Sequence, residues 1–273
     1  MKGDMTTKFA QTFGIVSVKG GVGKTTTVAN LGAVLAKDFK QKVLVVDSNF
    51  SAPNLGIHFG IITPEKTLND VLNDKCKIDA AIVNHPAGFD ILPSNLLATP
   101  VNPTKLKSKL SSLKDKYDII LIDSSPDVGD QMLSTMIASD SLLVISSPDY
   151  PTLSCTLQAA KIAKERRTPV VGLVLNKVRG KKFELSTKEI EAATDIPILA
   201  VVPDDVKVLE ALAFSVPATL YAPRKDFAVE FRKLAASLIG NDYEDKSFVS
   251  KIKKLMKGDT VADRNRRKLL KKK

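Results

Sequence analysis

Hydrophobic and polar positions follow two alternating patterns along this chain. Short apolar runs rich in Val, Ile and Leu alternate with longer stretches in which apolar residues recur at helical spacing. The short runs predict seven strands, at residues 13–18, 42–46, 89–93, 119–122, 141–145, 170–175 and 198–202. The longer stretches predict eight helices, at residues 25–37, 67–72, 103–113, 129–138, 152–166, 187–193, 206–213 and 226–239. This order is typical of a parallel sheet covered by helices on both faces, which binds ligands at the carboxyl ends of its strands.

The loop after the first strand carries the most specific motif, Lys19-Gly20-Gly21-Val22-Gly23-Lys24-Thr25-Thr26. Its glycines let backbone N–H groups turn inward, and the following helix adds the positive end of its dipole, so the loop suits a polyphosphate. We expect Lys24 to reach the β- and γ-phosphates and the Thr25 hydroxyl to bind Mg²⁺. The alternative is a glycine-rich turn without a ligand, but strand, loop, Lys-Thr pair and helix all agree with a phosphate site. The expected nucleotide contacts in the loop are Gly20, Gly21, Val22, Gly23, Lys24, Thr25 and Thr26.

This loop departs from the usual phosphate-loop pattern at its start. Gly-x-x-x-x-Gly-Lys-[Ser/Thr] places a glycine where this chain has Val18, and Lys19 opens the loop instead. The variant resembles the loop of the MinD/ParA family of ATPases, and most closely that of the MinD-like, septum-site-determining proteins. The resemblance covers residues 13–240. It implies a P-loop NTPase of the SIMIBI type, an α/β three-layer sandwich with a twisted, mostly parallel sheet flanked by helices. It also implies an ATP-bound homodimer in which Lys19 reaches the phosphates of the other subunit.

The segment after the second strand resembles the first switch of that family. Asp47 and the pair Asn54-Leu55 match, whereas the family's second acidic position is Asn49 here. In the family this acid helps to orient the attacking water, and an amide can bind water but cannot accept its proton. The resemblance thus implies catalytic roles for Asp47 and Asn49 and slow hydrolysis. The alternative is that both are turn residues closing the strand.

The strand at 119–122 is followed by an acid, Asp123. A carboxylate at this place can bind the water shell of Mg²⁺ or the water near the γ-phosphate, so Asp123 joins Thr25 as a candidate metal ligand and catalytic residue. The loop at 124–130 looks like the family's second switch, which would rearrange when the γ-phosphate leaves. Asp127 and Asp130 within it are more typical of helix-capping or solvated acids.

Two later segments bear on base recognition. Asn176-Lys177-Val178-Arg179 begins like a guanine-reading Asn-Lys-x-Asp motif, but Arg179 stands where guanine needs a carboxylate, which favours ATP. By resemblance, Asn176, Pro203 and Asp204 would border the adenine. The alternatives are that Asn176 caps its strand and that Asp204 or Asp205 caps the next helix.

The net charge of +11 lies almost entirely at the C-terminal end. Residues 246–273 hold twelve Lys or Arg against two Asp, a charge of +10, so the rest of the chain is nearly neutral. We therefore divide the chain into a P-loop ATPase domain at 1–240 and a basic tail at 241–273. The apolar spacing within the tail predicts an amphipathic helix at about 247–257. The apolar face of this helix comprises Phe248, Val249, Ile252, Leu255 and Met256.

A short helix with one apolar face and a lysine-rich remainder is typical of a segment that lies in the membrane interface. This one resembles the C-terminal membrane-targeting helix of MinD. Two copies in a dimer would bind far better than one, because the second insertion is intramolecular. The alternative is that the helix packs on the body with its lysines solvated. Residues 264–273 are expected to form a disordered polycation that attracts phosphate-rich surfaces, either lipid or nucleic acid.

Other features narrow the class of protein. No run approaches the roughly 18 apolar residues of a membrane span, and the N-terminus lacks the apolar core of a signal peptide. We therefore expect a cytoplasmic protein that binds peripherally to the inner face of the cell membrane. Cys76 and Cys155, the two cysteines, exclude a Cys-x-x-Cys metal site within one chain.

These features together predict a Mg²⁺-dependent ATPase with ATP and Mg²⁺ as cofactors. We expect it to be a homodimer when ATP is bound, to turn over slowly without an activating protein partner, and to position or regulate a cellular structure such as the division site or a surface appendage. One alternative is a DNA-partition ATPase of the ParA type that binds nucleic acid nonspecifically. Another is a nucleotide-gated binding module with very low hydrolysis.

Overall fold

One sheet forms the centre of the molecule. The computed structural model describes residues 9–97, 100–245 and 258–271. Within these residues the strands are β1 (Gln11–Val16), β2 (Val43–Asp47), β3 (Val83–His85), β4 (Phe89–Leu92), β5 (Ile119–Asp123), β6 (Ser141–Ser146), β7 (Val170–Val178) and β8 (Ile198–Pro203). Their order across the sheet is β3-β4-β2-β5-β1-β6-β7-β8, and every neighbouring pair is parallel except β3 and β4.

Helices cover both faces of this sheet. They are α1 (Lys24–Lys37), α2 (Leu68–Leu72), α3 (Leu106–Ser111), α4 (Asp130–Ala138), α5 (Tyr150–Glu165), α6 (Thr187–Thr194), α7 (Val206–Ala213), α8 (Ala218–Tyr221), α9 (Asp226–Leu238) and α10 (Val261–Leu270). The helices α1, α7, α8 and α9 pack on one face, and α2 to α6 pack on the other. Successive strand residues enter opposite layers, as Ile15 and Val16 of β1 do, because side chains alternate along a strand.

The predicted fold class is confirmed, since each predicted strand and helix has a counterpart within a few residues. Among the strands and α-helices of the described residues, three were missed: β3, α8 and α10. The three-residue β3 reads Val-Asn-His, which is too short and too polar to form an apolar run. Helix α8 has four residues, so it offers no periodicity to detect.

The C-terminal end corrects one expectation. Residues 264–273 were expected to be a disordered polycation, but those up to 271 are described, and Val261–Leu270 is the helix α10. It begins with a capping box between Thr260 and Asp263. Its Asn265 Nδ2 donates to the Ile198 carbonyl (2.9 Å), and its Arg266 Nη1 donates to the Leu199 carbonyl (2.5 Å). Since β8 is an edge strand, α10 covers an edge that would otherwise expose its backbone.

The predicted amphipathic helix at about 247–257, with its apolar face from Phe248 to Met256, lies outside the described residues. The division of the chain at residue 240 stays a prediction. Among the residues that are described, no helix is long and apolar enough to cross a membrane.

Candidate nucleotide-binding site

The phosphate loop lies between β1 and α1, at the carboxyl edge of the sheet. Gly21 and Gly23 adopt left-handed backbone angles, with φ of 75° and 99°, which glycine tolerates best. Gly23 is the N-cap of α1 and supplies no side-chain cap, and the first turn of α1 has no acidic residue. The N–H groups and the positive end of this helix are therefore available to an anion, as the sequence predicts.

Lys24 points inward at the base of this loop. Its side chain is buried, and its Nζ donates to the Lys19 carbonyl at 3.5 Å. Burial lowers the pKa of the Lys24 ammonium, and the nearby carboxylates of Asp123 and Asp127 oppose that shift. A buried cation with acidic neighbours is well placed to neutralise a phosphate group.

Thr25 and Asp123 meet at the mouth of the loop. The Thr25 Oγ1 donates to Asp123 Oδ2 at 2.6 Å, although 98 residues separate them in the sequence. The second carboxylate oxygen, Asp123 Oδ1, is buried and has no hydrogen-bond partner among the described residues. A hydroxyl beside an incompletely satisfied carboxylate is the hard-oxygen set that Mg²⁺ prefers, so these two residues fit the predicted metal site.

Asp47 lies beside Asp123, because β2 and β5 pair with these two residues in register. Its Oδ1 accepts from Asn49 N–H and its Oδ2 from Leu55 N–H, each at 3.1 Å. Burial and then the charge of Asp123 raise the pKa of Asp47. Burial also raises the pKa of Asp123, while Thr25 and Lys24 oppose that shift. Two adjacent buried carboxylates repel each other, and a divalent cation would relieve that repulsion.

Asn49 is engaged within its own loop. Its Nδ2 donates to the Ala52 carbonyl at 2.7 Å, and its Oδ1 accepts from Ala52 N–H at 3.3 Å. These two hydrogen bonds agree with the alternative that Asn49 is a turn residue after the strand. Its expected action on water stays a prediction and requires the first switch to rearrange.

Lys19 contacts residues of its own chain. Its Nζ donates to Thr152 Oγ1 at 2.7 Å and to Asp149 Oδ1 at 3.2 Å. Although burial opposes the shift, hydrogen bonds from Ser147, Thr152 and Lys19 lower the pKa of Asp149 to about 2. The negative charge of Asp149 at the start of α5 therefore holds the Lys19 ammonium. The predicted action of Lys19 across a dimer stays a prediction.

Two residues at the end of β7 donate hydrogen bonds to backbone carbonyls of the phosphate loop. Asn176 is buried, and its Nδ2 donates to the Val22 carbonyl at 2.8 Å. A Cβ at Gly23 would collide with this amide. Lys177, which sequence reasoning missed, donates from Nζ to the Gly21 carbonyl at 2.7 Å. Asn176 therefore lies against the phosphate loop, and its predicted place beside the adenine stays a prediction.

The segment after β8 shows which of two acidic residues, Asp204 or Asp205, caps α7. Asp205 is the N-cap of α7 and accepts from Lys207 N–H at 2.9 Å, whereas Asp204 pairs with Arg179 at 2.8 Å. The helix cap is thus Asp205. Adenine contacts by Pro203 and Asp204 stay predictions. Thr26, the remaining predicted contact, lies in the first turn of α1.

The loop predicted to be the second switch, residues 124–130, leads into α4, which begins at Asp130. Gly129 is the N-cap of α4 without a side-chain cap bond, and Asp130 lies in the first turn. Both Asp127 and Asp130 are exposed, in agreement with the expectation of solvated acids. Sequence reasoning also missed Gln131, whose side chain hydrogen-bonds to Phe50 and Ser51 in the predicted first switch. These partners lie 80 residues or more away in the sequence, so no local pattern indicates the contact.

Comparisons with known proteins agree with this geometry. The family model described as "AAA domain" matches residues 10–167. An uncharacterized ATP-binding protein of Methanocaldococcus jannaschii is 35% identical over 256 residues, which cover 90% of this chain and 97% of that protein. The septum site-determining protein MinD of Synechocystis is 27% identical over 265 residues, covering 94% of this chain and 97% of that protein.

A solved structure extends the similarity to three dimensions. The septum site-determining protein MinD from Pyrococcus horikoshii, complexed with Mg-ADP, has a TM-score of 0.79 and 31% identity to this chain, covering 84% of it and 96% of that structure. The region matched by the family model includes the phosphate loop. On this basis the chain belongs to the MinD/ParA family of P-loop ATPases, with ATP and Mg²⁺ as its cofactors.

Proposed function

We propose that this protein hydrolyses ATP to ADP and phosphate, dimerises when ATP is bound, and is reset by hydrolysis. The observation that carries the proposal is the meeting of Lys24, Thr25 and Asp123 at the glycine loop, with Asp123 Oδ1 left without a partner among the described residues. A cation, a hydroxyl and a buried carboxylate at a helix N-terminus form a site for a metal-bound polyphosphate.

Each residue has a role in the proposed reaction. The N–H groups at the start of α1 hold the phosphates, and Lys24 neutralises charge on the γ-phosphate. When bound through Thr25 and Asp123, Mg²⁺ supplies charge neutralisation at the phosphate oxygens. Asp47 and Asn49 orient the attacking water. Because the Asn49 amide cannot accept a proton and is engaged with Ala52, we expect slow turnover until an activating protein partner rearranges the first switch.

The test of hydrolysis is steady-state release of phosphate by the wild type, Lys24→Ala and Asn49→Asp. We expect slow turnover by the wild type above the Lys24→Ala blank, and faster turnover by Asn49→Asp, which regains a proton acceptor. If neither protein exceeds the blank while both bind ATP, the protein is a nucleotide-gated binding module and the enzyme proposal fails.

The dimer proposal concerns Lys19. In an ATP-bound homodimer its ammonium would leave Asp149 and reach the phosphates held by the second subunit. We expect Lys19→Ala to lose the ATP-dependent dimer in sedimentation velocity while keeping ADP binding. An ATP-dependent dimer with full activity in Lys19→Ala would contradict the action across the dimer.

The proposed output is nucleotide-controlled residence at the inner face of the cell membrane, where the protein positions or regulates a structure such as the division site or a surface appendage. The support is the sequence at about 247–257, where the apolar residues recur at the spacing of one helical face among lysines. These residues are Phe248, Val249, Ile252, Leu255 and Met256. Nonspecific nucleic-acid binding does not need such a face, which favours lipid over the ParA-type alternative.

This output is tested by co-sedimentation with anionic liposomes and, separately, with duplex DNA, each with ATP and with ADP. Truncation after Asp245 would also remove α10, which packs on β8, so the better variant is Ile252→Glu with Leu255→Glu. We expect ATP-dependent lipid binding that this variant loses. ATP-dependent DNA binding without lipid binding would support the partition ATPase instead.

A further inference from the structure

Gln131 joins the two switches through its side chain. It is the second residue of α4, the helix that begins where the second switch ends. Its Oε1 accepts from the backbone N–H of Phe50 at 2.9 Å, and its Nε2 donates to Ser51 Oγ at 2.6 Å. Both partners lie in the first switch, so one amide spans the gap between two loops that are distant in sequence.

A second contact between the same elements lies deeper. The buried Ser48 donates from Oγ to the Asp123 carbonyl and lies 2.7 Å from Thr135 Oγ1 of α4. Thr135 is one helical turn after Gln131, so both residues lie on the same side of α4. The first switch is therefore attached to α4 at two points, one buried at its start and one near the surface.

The bond to the Phe50 N–H links the position of this loop to that of α4. The Phe50 side chain is buried in the hydrophobic core between the sheet and α2 to α4, and its N–H depends on Gln131 as acceptor. A buried backbone donor needs a partner, so a shift of the first turn of α4 must either carry the loop with it or break this bond.

We propose that Gln131 is a positioning residue that transmits movement of the second switch to the first, so that both respond to the γ-phosphate as one unit. The inference rests on the proposed function in that a γ-phosphate must be bound and lost at the phosphate loop. Gln131 acts through the backbone of Phe50 and the hydroxyl of Ser51, and through them on the loop that carries Asp47 and Asn49.

The test compares three variants with the wild type. Gln131→Met keeps the size and removes both hydrogen bonds. Gln131→Glu keeps an acceptor for Phe50 N–H and lets the Ser51 hydroxyl donate in return. Gln158→Met makes the same chemical change at an exposed position of α5 and serves as the matched control.

The main readout is hydrogen exchange of the peptide covering residues 48–55, with ADP and with a non-hydrolysable ATP analogue. In the wild type and in Gln158→Met we expect its exchange to differ between the two nucleotides, together with that of residues 124–135. In Gln131→Met we expect about tenfold faster exchange at Phe50 in both states. The nucleotide dependence should then persist only in residues 124–135. Gln131→Glu should restore the coupled response.

The kinetic readout is the split between kcat and KM. We expect Gln131→Met to lower kcat by about 10- to 100-fold with the KM for ATP changed less than about threefold, because the water-positioning loop is misplaced while the phosphate loop is intact. If residues 48–55 of Gln131→Met still respond to the nucleotide as in the wild type, the proposal is wrong. If the wild type shows no turnover, the proposed function fails, and the exchange experiment still decides whether Gln131 couples the switches.

Discussion

Replacing Arg266 by Ala should detach α10 from the sheet edge. The Arg266 side chain is only 6% exposed and contacts three acceptors, the Leu199 carbonyl (2.5 Å), Asp263 Oδ1 (2.5 Å) and Glu230 Oε2 (3.1 Å). Ala cannot reach any of them. The two carboxylates would lose their buried cation, and the edge of β8 would lose one of its two side-chain donors from α10.

The size of the effect follows from burial and from the remaining partner. Removing one member of a buried ion pair costs about 3–5 kcal/mol. Here Lys233 stays within 3.3 Å of Glu230 and 3.2 Å of Asp263, and these carboxylates are 16% and 20% exposed. We therefore expect the opening free energy of α10 to fall by about 2–3 kcal/mol. At about 1.4 kcal/mol per tenfold change, this is a 30- to 150-fold increase in opening.

Hydrogen exchange of the amides in 261–270 measures this opening directly. The neighbouring Arg267 is the matched control, because the side chains of its ion pair with Asp259 (2.6 Å) are 50% and 32% exposed, and exposed ion pairs contribute little to stability. Arg267→Ala should then change exchange less than about fivefold. Equal exchange in Arg266→Ala and Arg267→Ala would refute the reasoning, because it would mean that the buried network does not hold the helix.

Three further predictions follow from single contacts. Gly23→Ala should destabilise the protein by about 1–2 kcal/mol in thermal unfolding and weaken ADP binding in calorimetry, because φ is 99° and the new Cβ collides with Asn176; an unchanged affinity would contradict the loop geometry. Thr260→Ala removes the capping box of α10 and should increase exchange of its first turn by an amount corresponding to about 1 kcal/mol, whereas Thr260→Ser should not. Although burial opposes the shift, a hydrogen bond from Thr260 and the charges of Arg266 and Lys233 lower the pKa of Asp263 below 3.8. The ionised Asp263 carboxylate therefore stabilises α10 above its unfolded-state pKa, and this stabilisation is lost as the pH falls from that value towards the lower folded-state pKa. Hydrogen exchange of α10, corrected for intrinsic rates, should then rise below about pH 4 in the wild type and not in Asp263→Asn.

Local patterns in the sequence were sufficient for the phosphate loop and the order of elements. The loop from Lys19 to Thr26 is contiguous, so its glycines, its lysines and its helix could be read without knowing the fold. The alternation of apolar runs and helix-periodic stretches likewise predicted the layers, because burial on both faces of a parallel sheet demands near-continuous apolar strands. The residues at the ends of β2 and β5 could be assigned for the same reason, since parallel strands end at one edge.

The tertiary structure decided which distant side chains meet. Lys19 with Asp149, Asn176 with the Val22 carbonyl, and Gln131 with Phe50 are pairs separated by 130, 154 and 81 residues, and each depends on strand order and register. The last helix is the clearest case. Its sequence predicts a disordered, solvated polycation, because it has few apolar residues and many basic ones. Asp263 within the helix supplies one partner of the Arg266 guanidinium, but the Leu199 carbonyl at the edge of β8 and the Glu230 carboxylate come from elsewhere in the fold. The burial of Arg266 depends on these two distant partners, so it cannot be predicted from the helix alone.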